Sequence, residues 1–192
     1  MKILLTAFGP FGNYDVNPSE LVLNEVSKKI TFGELIDFKI IDVGYDSVNN
    51  FINSLTINYD LIVHLGVAFD NKKTRFEIVA HNTAKGKDVF NVEPQMIIEK
   101  NGNDYIISNF PECVLEKAME KFPNHIVYSR DAGTFLCNYI YYKSLNTFQR
   151  KTSVLFVHIA DFINNNEANS LQIQSDIVIS IISDFQEEIK MV

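Results

Sequence analysis

The sequence predicts a single α/β domain built around a mainly parallel β-sheet. Short apolar runs alternate along the chain with segments of helical periodicity, which is the pattern of a buried sheet covered by helices. The 192 residues suit one domain, and no repeat, low-complexity tract or long linker divides residues 1–192. We therefore expect one domain over the whole chain.

Three strands and two helices are expected in the first third of the chain. Asn17 precedes Pro18, a pair that suits the N-cap and the first position of a helix. Apolar residues recur at helical spacing after each of the first two strands. The expected strands are residues 3–6, 38–43 and 61–66, the last ending at Gly66, and the expected helices begin at Pro18 and span 47–55.

The remaining elements surround an irregular middle segment. Residues 82–103 contain Gly86, Pro94 and Gly102 with little periodicity, so we expect long loops there, with room for a β-hairpin, as a candidate cover for an active site. The other expected elements are strands at 76–80, 125–129 and 154–159, helices from 111, over 134–148 and over 171–188, and a turn at 164–166.

Charge and composition exclude several classes of protein. The chain has 17 basic and 24 acidic residues, a net charge of −7, and no basic stripe of the kind that nucleic-acid binders show. The short basic stretches at 71–75 and 85–87 are interpreted as solvated loop charges. No apolar run approaches the roughly 20 residues that span a bilayer, and the N-terminal run is too short for a signal peptide. We expect a cytoplasmic protein that binds neither nucleic acid nor membranes.

Cys113 and Cys137 are the two cysteines of the chain. Two cysteines cannot build a disulfide framework, and their spacing from the histidines does not suit a metal site. Cys137 is expected between a strand and the first turn of a helix, where unpaired N–H groups and the helix dipole favour a thiolate. Gly133 permits a sharp turn just before it. Cys137 is therefore a candidate nucleophile, although a free cysteine is more often a small buried apolar residue.

His158 is the best candidate for the base that a thiol nucleophile needs. It ends an apolar strand, and active sites of α/β sheets lie at the carboxyl ends of strands. It follows Cys137 by one helix and one strand, so a right-handed crossover brings both to one sheet edge. The alternative is a strand-end histidine bonded to a backbone carbonyl. His64 and His125 are interpreted as structural, and His81 as a weaker base.

Glu77 is the candidate for the group that orients this base. It lies in an apolar strand, where a carboxylate must be paired or face water, and it can hold an imidazole in one tautomer. A salt bridge to Arg75 or Lys87 is the structural alternative, and the two interpretations stay open.

Aromatic residues near the same edge predict a flat apolar slot for a small ring. Phe8 and Phe11 flank a Gly-Pro pair after the first strand, and Phe135 lies two residues before Cys137. Core packing is the alternative for any single one of them.

Four segments of the chain match, in register, the motifs of one known family. They are Thr6-Ala7-Phe8-Gly9-Pro10-Phe11-Gly12 followed by Asn17-Pro18-Ser19, Glu77-Ile78-Val79-Ala80-His81-Asn82, Asp131-Ala132-Gly133-Thr134-Phe135-Leu136-Cys137-Asn138, and Phe156-Val157-His158. Together they resemble the pyroglutamyl-peptidase I (pyrrolidone-carboxylate peptidase) family. The order Glu, Cys, His is also that of the family. The family usually has proline two residues after the histidine, where this chain has Ala160.

This resemblance implies a three-layer α/β/α sandwich with a mixed sheet and a cysteine exopeptidase that needs no metal or cofactor. It implies Cys137 as nucleophile, His158 as acid–base and Glu77 as its orienting group. Phe8, Phe11 and Phe135 would clasp the lactam ring of a pyroglutamyl peptide, with backbone groups near Gly66 and Val67 binding its polar atoms.

Two other functions stay open from the sequence. The first is a catalytically silent relative that binds a small ligand or partner through the same pocket, and the second is an amidase for substrates without the lactam ring. A homo-oligomer also remains open, because nothing in the sequence decides it.

Overall fold

The computed structural model describes residues 1–30, 36–68, 72–148, 150–163 and 170–191. Its strands are β1 (Ile3–Phe8), β2 (Ile36–Ile41), β3 (Leu61–Val67), β4 (Thr74–Glu77), β5 (Val79–His81), β6 (Tyr105–Ile107), β7 (Ile126–Ser129) and β8 (Ser153–Ile159). Its helices are α1 (Pro18–Lys29), α2 (Tyr45–Ser54), α3 (Glu112–Lys121), α4 (Leu136–Phe148) and α5 (Ser170–Met191).

Six of these strands form one mixed sheet in the order β2-β1-β3-β8-β4-β7. Strands β2, β1, β3 and β8 are parallel, β4 is antiparallel to β8, and β7 is parallel to β4. Helices α1, α3 and α5 pack on one face of the sheet, and α2 and α4 pack on the other. The prediction of a three-layer sandwich with a mainly parallel, mixed sheet is confirmed.

The chain reverses its direction of travel across the sheet at β1. The connection after β1 leads to β2 on one side, while β3 lies on the other side of β1. Such a switch point opens a crevice at the carboxyl ends of the strands, and ligands bind there in open α/β folds. The loops that follow β1 and β3 therefore occupy the favoured place for a site.

The expected strand at 76–80 is wrong in one respect, because two strands in different sheets occupy it. The chain changes partners at Ile78, whose N–H donates to the carbonyl of Ser129 at 2.8 Å and whose carbonyl accepts from the N–H of Ser108 at 3.0 Å. Strand β4 therefore belongs to the main sheet, whereas β5 pairs antiparallel with β6. Residues 82–103, all described, contain no strand, so the hairpin allowed for within them is absent; β5 and β6 flank this segment and pair with each other across it.

Most other boundaries differ from expectation by one to three residues, and two of these differences concern the site. Strand β3 continues through Gly66 to Val67, so Gly66 does not end it. Helix α4 begins two residues later than expected, since Gly133 has a φ of +80° and the carbonyl of Thr134 accepts a hydrogen bond from Lys85. The expected turn at 164–166 lies outside the described residues.

None of the helices in the described part of the chain is both long enough and apolar enough to cross a membrane.

Candidate active site

Cys137 is the second residue of α4 and lies over the carboxyl end of β3. A Cβ atom built on Gly66 would lie 3.0 Å from Sγ of Cys137 and 2.7 Å from Cζ of Phe156. The thiol therefore packs directly on the backbone of β3. The first turn of a helix has backbone N–H groups without partners inside the helix, and these favour negative charge at this position.

His158 connects the thiol to Glu77. Nδ1 of His158 lies 2.7 Å from Oε1 of Glu77, and the two side chains are 5% and 0% exposed. A carboxylate can only accept, so Nδ1 carries the proton and Nε2 is left for the hydrogen bond with Cys137. The structure thus brings together the three side chains predicted to form the catalytic group.

The charge state of His158 follows from these neighbours. Burial lowers the pKa of His158, but the adjacent Cys137 and Glu77 raise it, and the resulting pKa is about 9 instead of 6.5. An imidazole in this position is therefore protonated at neutral pH, between the carboxylate of Glu77 and the side chain of Cys137.

Glu77 is fixed from its backbone as well as through its carboxylate. Its carbonyl accepts a hydrogen bond from Oη of Tyr141 at 2.7 Å. Its carboxylate pairs with His158, and no ion pair joins it to Arg75 or Lys87, both of which are described. The structure therefore favours the orienting interpretation of Glu77 over the salt bridge.

The other histidines have different partners. His64 is fully buried, with Nδ1 2.7 Å from Oγ1 of Thr6 and Nε2 2.8 Å from Oγ of Ser144, and its burial lowers its pKa to about 3. His81 lies with Nε2 3.0 Å from the carbonyl of Arg130. The structural interpretation of His64 is confirmed, and the ring nitrogen of His81 is engaged by a backbone carbonyl.

A narrow apolar slot opens beside the thiol. The three expected phenylalanines, Phe8, Phe11 and Phe135, line it, and Cys137 lies at its edge. Val67 also lines it, whereas Gly66, expected with Val67 to offer backbone groups, is not among the lining residues. Asn17, Val43 and Leu136 complete the lining. Sequence reasoning missed Val43. Its position just after β2, the strand beside β1, could have indicated that it lines the slot. Its apolar side chain alone suggests only core packing.

Hydrogen bonds of Asn17 and a ring contact of Phe135 hold the aromatic walls of the slot in place. Nδ2 of Asn17 donates to the carbonyl of Gly9 at 2.9 Å, and Oδ1 accepts from the N–H of Ser19 at 3.0 Å. Asn17 thus caps α1, as predicted, and also holds the loop that carries Phe8 and Phe11. The ring of Phe135 packs edge-on against Tyr45 with centroids 6.0 Å apart.

The loop after His158 is fixed by a contact that the usual proline of the family could not make. The N–H of Ala160 donates to Oε1 of Gln174 at 2.9 Å, and Oγ1 of Thr74 donates to the same oxygen at 2.6 Å. Proline has no N–H. Gln174 of α5 therefore ties the end of β8 to the start of β4.

A larger cavity lies at the opposite end of β4, lined in part by Ile78, Ile107 and Tyr128. It contains no thiol and no histidine. We place the candidate site at the smaller slot because the titratable groups are assembled there. Among the described residues, no group of three or more His, Cys, Asp or Glu side chains is arranged to hold a metal ion.

The sequence and the fold were compared with those of known proteins. The family model of the pyroglutamyl peptidases matches residues 1–180, nearly the full chain. The chain belongs to the pyroglutamyl peptidase family. This confirms the resemblance seen in the sequence motifs, and the chain is accordingly a cysteine hydrolase.

Individual pyroglutamyl peptidases agree with this assignment. Pyrrolidone-carboxylate peptidase 2 of Caldanaerobacter subterraneus subsp. tengcongensis is 32% identical over 168 residues, covering 83% of this chain and 81% of the relative. Pyroglutamyl-peptidase 1 of Homo sapiens is 28% identical over 172 residues, covering 82% and 78%. The crystal structure of the pyrrolidone carboxyl peptidase of Fervidobacterium islandicum matches with a TM-score of 0.81 at 26% identity, covering 97% and 99%.

Proposed function

We propose that this pyroglutamyl peptidase hydrolyses the amide bond that follows an N-terminal pyroglutamyl residue, with Cys137, His158 and Glu77 as its catalytic triad. The observation that carries the proposal is the hydrogen-bonded series from Glu77 through His158 to Cys137, placed at the edge of an aromatic slot. Each member has the chemistry that its position requires.

The first half of the reaction is acyl transfer to the thiol. Sγ of Cys137 attacks the pyroglutamyl carbonyl carbon and forms a C–S bond. The proton on Nε2 of His158 passes to the leaving amine as the C–N bond breaks, which leaves a thioester and a neutral imidazole. The backbone N–H groups at the start of α4, including that of Cys137, stabilise the oxyanion that forms in between.

The second half returns the enzyme to its starting state. Nε2 of His158 removes a proton from a water molecule, and the resulting hydroxide attacks the thioester carbonyl. The C–S bond breaks, pyroglutamate leaves, and the thiolate and imidazolium are restored. Glu77 keeps Nδ1 protonated throughout and stabilises the imidazolium.

The slot accounts for the choice of a lactam over an ordinary N-terminus. Phe8, Phe11 and Phe135 provide apolar walls, and the polar groups of Asn17 are engaged by Gly9 and Ser19. A lactam ring is neutral and compact, while a free α-ammonium would lose its hydration without gaining a partner. Backbone groups of Gly66 and Val67 are the nearest candidates to bind the lactam polar atoms.

A catalytically silent relative is less well supported by this geometry. A binding module needs neither a protonated histidine beside a thiol nor a buried carboxylate behind it, and burying such groups is costly. We further propose that the enzyme acts on peptides in a cytoplasmic, reducing compartment, because its nucleophile must remain a free thiol.

The test is release of a fluorogenic amine from a pyroglutamyl amide and from the matching prolyl amide, whose ring carries a charged nitrogen. Wild type should turn over the first and not the second, and Cys137→Ala should turn over neither. Cys137→Ser is the matched control, since it keeps the shape of the side chain but not the thiol. Folded, reduced wild-type protein without activity on the pyroglutamyl amide would contradict the proposal.

A further inference from the structure

Arg75 lies beside His158 on the face of the sheet that carries the triad. Strands β4 and β8 are antiparallel, and Arg75 is directly opposite His158 in their register. Side chains of directly opposed residues point to the same face, with Cβ atoms about 5 Å apart. Glu77, two residues after Arg75, shows that this is the catalytic face, because its carboxylate reaches His158.

Within the described ranges, no acidic side chain forms an ion pair with the guanidinium of Arg75. Arg75 is partly exposed. Among the described residues, the ion pairs of Asp and Glu side chains are made by lysines, His158 and the N-terminus, and none is made by Arg75. A partly exposed arginine two residues from the triad glutamate, with no acidic partner in the part of the chain that the structure describes, is therefore available to a ligand.

The strand order determines which part of a substrate meets Arg75. The slot lies at the ends of β1 and β3, Cys137 lies over β3, His158 is on β8 and Arg75 is on β4. These strands are neighbours in that order. A pyroglutamyl ring in the slot with its carbonyl at Cys137 therefore directs the leaving residue over β8 towards β4.

We propose that Arg75 determines specificity for the leaving group by binding a carboxylate on the first residue after the scissile bond. The inference rests on the function proposed above and extends it to a substrate class. The carboxylate is either the C-terminus of a pyroglutamyl dipeptide or the side chain of an acidic residue. A guanidinium binds either one through two parallel N–H···O bonds.

Two matched pairs of substrates distinguish a C-terminal carboxylate from a side-chain carboxylate. The first pair is pyroglutamyl-alanine and its C-terminal carboxamide. The second is pyroglutamyl-glutamate carboxamide and pyroglutamyl-glutamine carboxamide. The measurement is kcat/KM for each substrate, and the result is the ratio within a pair, which does not depend on the fraction of active enzyme.

Wild type should prefer the carboxylate in at least one pair by about tenfold, the value of one charge-assisted hydrogen bond. Arg75→Gln should reduce that ratio to about one, and Arg75→Lys should retain part of it because the charge remains without the planar fork. Lys73→Gln is the control for general electrostatic attraction. It removes the same charge from the exposed residue two positions earlier and should keep the ratio.

Equal kcat/KM values within both pairs in wild type would overturn the role of Arg75 and leave the proposed peptidase activity standing. A ratio that falls as far in Lys73→Gln as in Arg75→Gln would also overturn it. The preference would then come from general electrostatic attraction by the positive charges at this edge of the sheet, and not from a contact with Arg75. Absence of turnover on all four substrates by folded protein would overturn the proposed function, and this inference with it.

Discussion

His158 is a buried side chain whose neighbours favour its charged form. Desolvation alone would make the imidazole neutral, as it does for His64, whose pKa falls to about 3. Cys137 and Glu77 reverse that outcome and raise the pKa of His158 to about 9. The two histidines have the same chemistry and similar burial, so the difference between them comes from the thiol and the carboxylate.

The pH dependence of activity should report this difference. The proposed mechanism needs protonated His158 in the free enzyme, so kcat/KM should fall as pH rises through about 9. Glu77→Gln removes a negative charge that favours the imidazolium and should move this alkaline limb down by about one pH unit. It should also lower kcat, since the imidazole is less well oriented. If kcat/KM declines at the same alkaline pH in wild type and in Glu77→Gln, Glu77 does not stabilise the positive charge of His158.

Gly66 is needed because the thiol occupies the place of a side chain. In Gly66→Ala, the new Cβ would lie 3.0 Å from Sγ of Cys137 and 2.7 Å from the ring of Phe156. We expect a loss of kcat/KM of at least tenfold, because even a shift of about 1 Å in a catalytic atom is costly. Gly9→Ala is the matched control, since its nearest neighbour would be 3.6 Å away, and it should lose far less activity.

At the scale of elements, one side chain holds both the start of α1 and the loop that carries Phe8 and Phe11. Asn17 is 1% exposed, caps α1 through Oδ1 and holds Gly9 through Nδ2. A single side chain therefore connects the stability of a helix with the shape of the slot.

Two substitutions of Asn17 should separate these roles. Asn17→Ala should lower the free energy of unfolding by about 1 kcal/mol through loss of the cap, and it should raise KM because the loop with Phe8 and Phe11 is released. Asn17→Ser should recover most of the stability, since serine is a good N-cap, but not the KM, since its hydroxyl is too short to reach Gly9. Denaturant unfolding and steady-state kinetics on the same proteins check both parts. Equal recovery of both quantities would contradict separate roles.

Local sequence patterns predict most elements of this fold, and the errors have identifiable causes. Helix α1 is predictable because Asn17 and Pro18 determine its start through local chemistry. The break at Ile78 is not, because residues 76–80 form a continuous apolar run and the change of partner depends on Ser108 and Ser129, distant in sequence. The sequence pattern starts α4 two residues early, because the carbonyl of Thr134 accepts a hydrogen bond from the N–H of Lys85, which is distant in sequence.

In the candidate site, too, some features are predictable from the local sequence and others depend on contacts between distant residues. Position at strand and helix ends suggested Cys137 and His158, but nothing local distinguished the two interpretations of Glu77. The family motifs supplied the combination, and the 2.7 Å contact between Glu77 and His158 supplies its geometry. The second function of Asn17 and the place of Arg75 depend on strand register and loop contacts, which a sequence pattern does not encode.

At the scale of the whole molecule, the two buried histidines act on stability with opposite signs. The folded pKa of His64 is depressed to about 3, so its contribution is full above pH 6.5 and is lost as pH falls towards 3. The folded pKa of His158 is raised to about 9, so its contribution is full below pH 6.5 and is lost as pH rises through 9. Together they favour a stability maximum near pH 6.5.

Thermal unfolding as a function of pH should separate the two contributions. Relative to wild type, His158→Asn should flatten the decline of Tm between pH 7 and 9, and it should leave the acid side unchanged. His64→Asn should flatten part of the decline below pH 6, with the carboxylates supplying the rest. A wild-type Tm that stays constant from pH 6.5 to 9 would contradict the account of His158.

The positions of the two cysteines determine whether oxidation of Cys137 can be reversed within the chain. Cys113 is exposed on α3 and Cys137 lies on α4, so the sheet separates them. A thiolate paired with an imidazolium is readily oxidised to a sulfenic acid, which is normally trapped as a disulfide when a second thiol is within reach. Cys113 cannot serve as that resolving thiol, so an internal disulfide cannot protect Cys137, the proposed nucleophile. A sulfenic acid at Cys137 would have to be reduced by a thiol that enters from solvent. Without it, further oxidation to a sulfinic or sulfonic acid would inactivate the cysteine permanently.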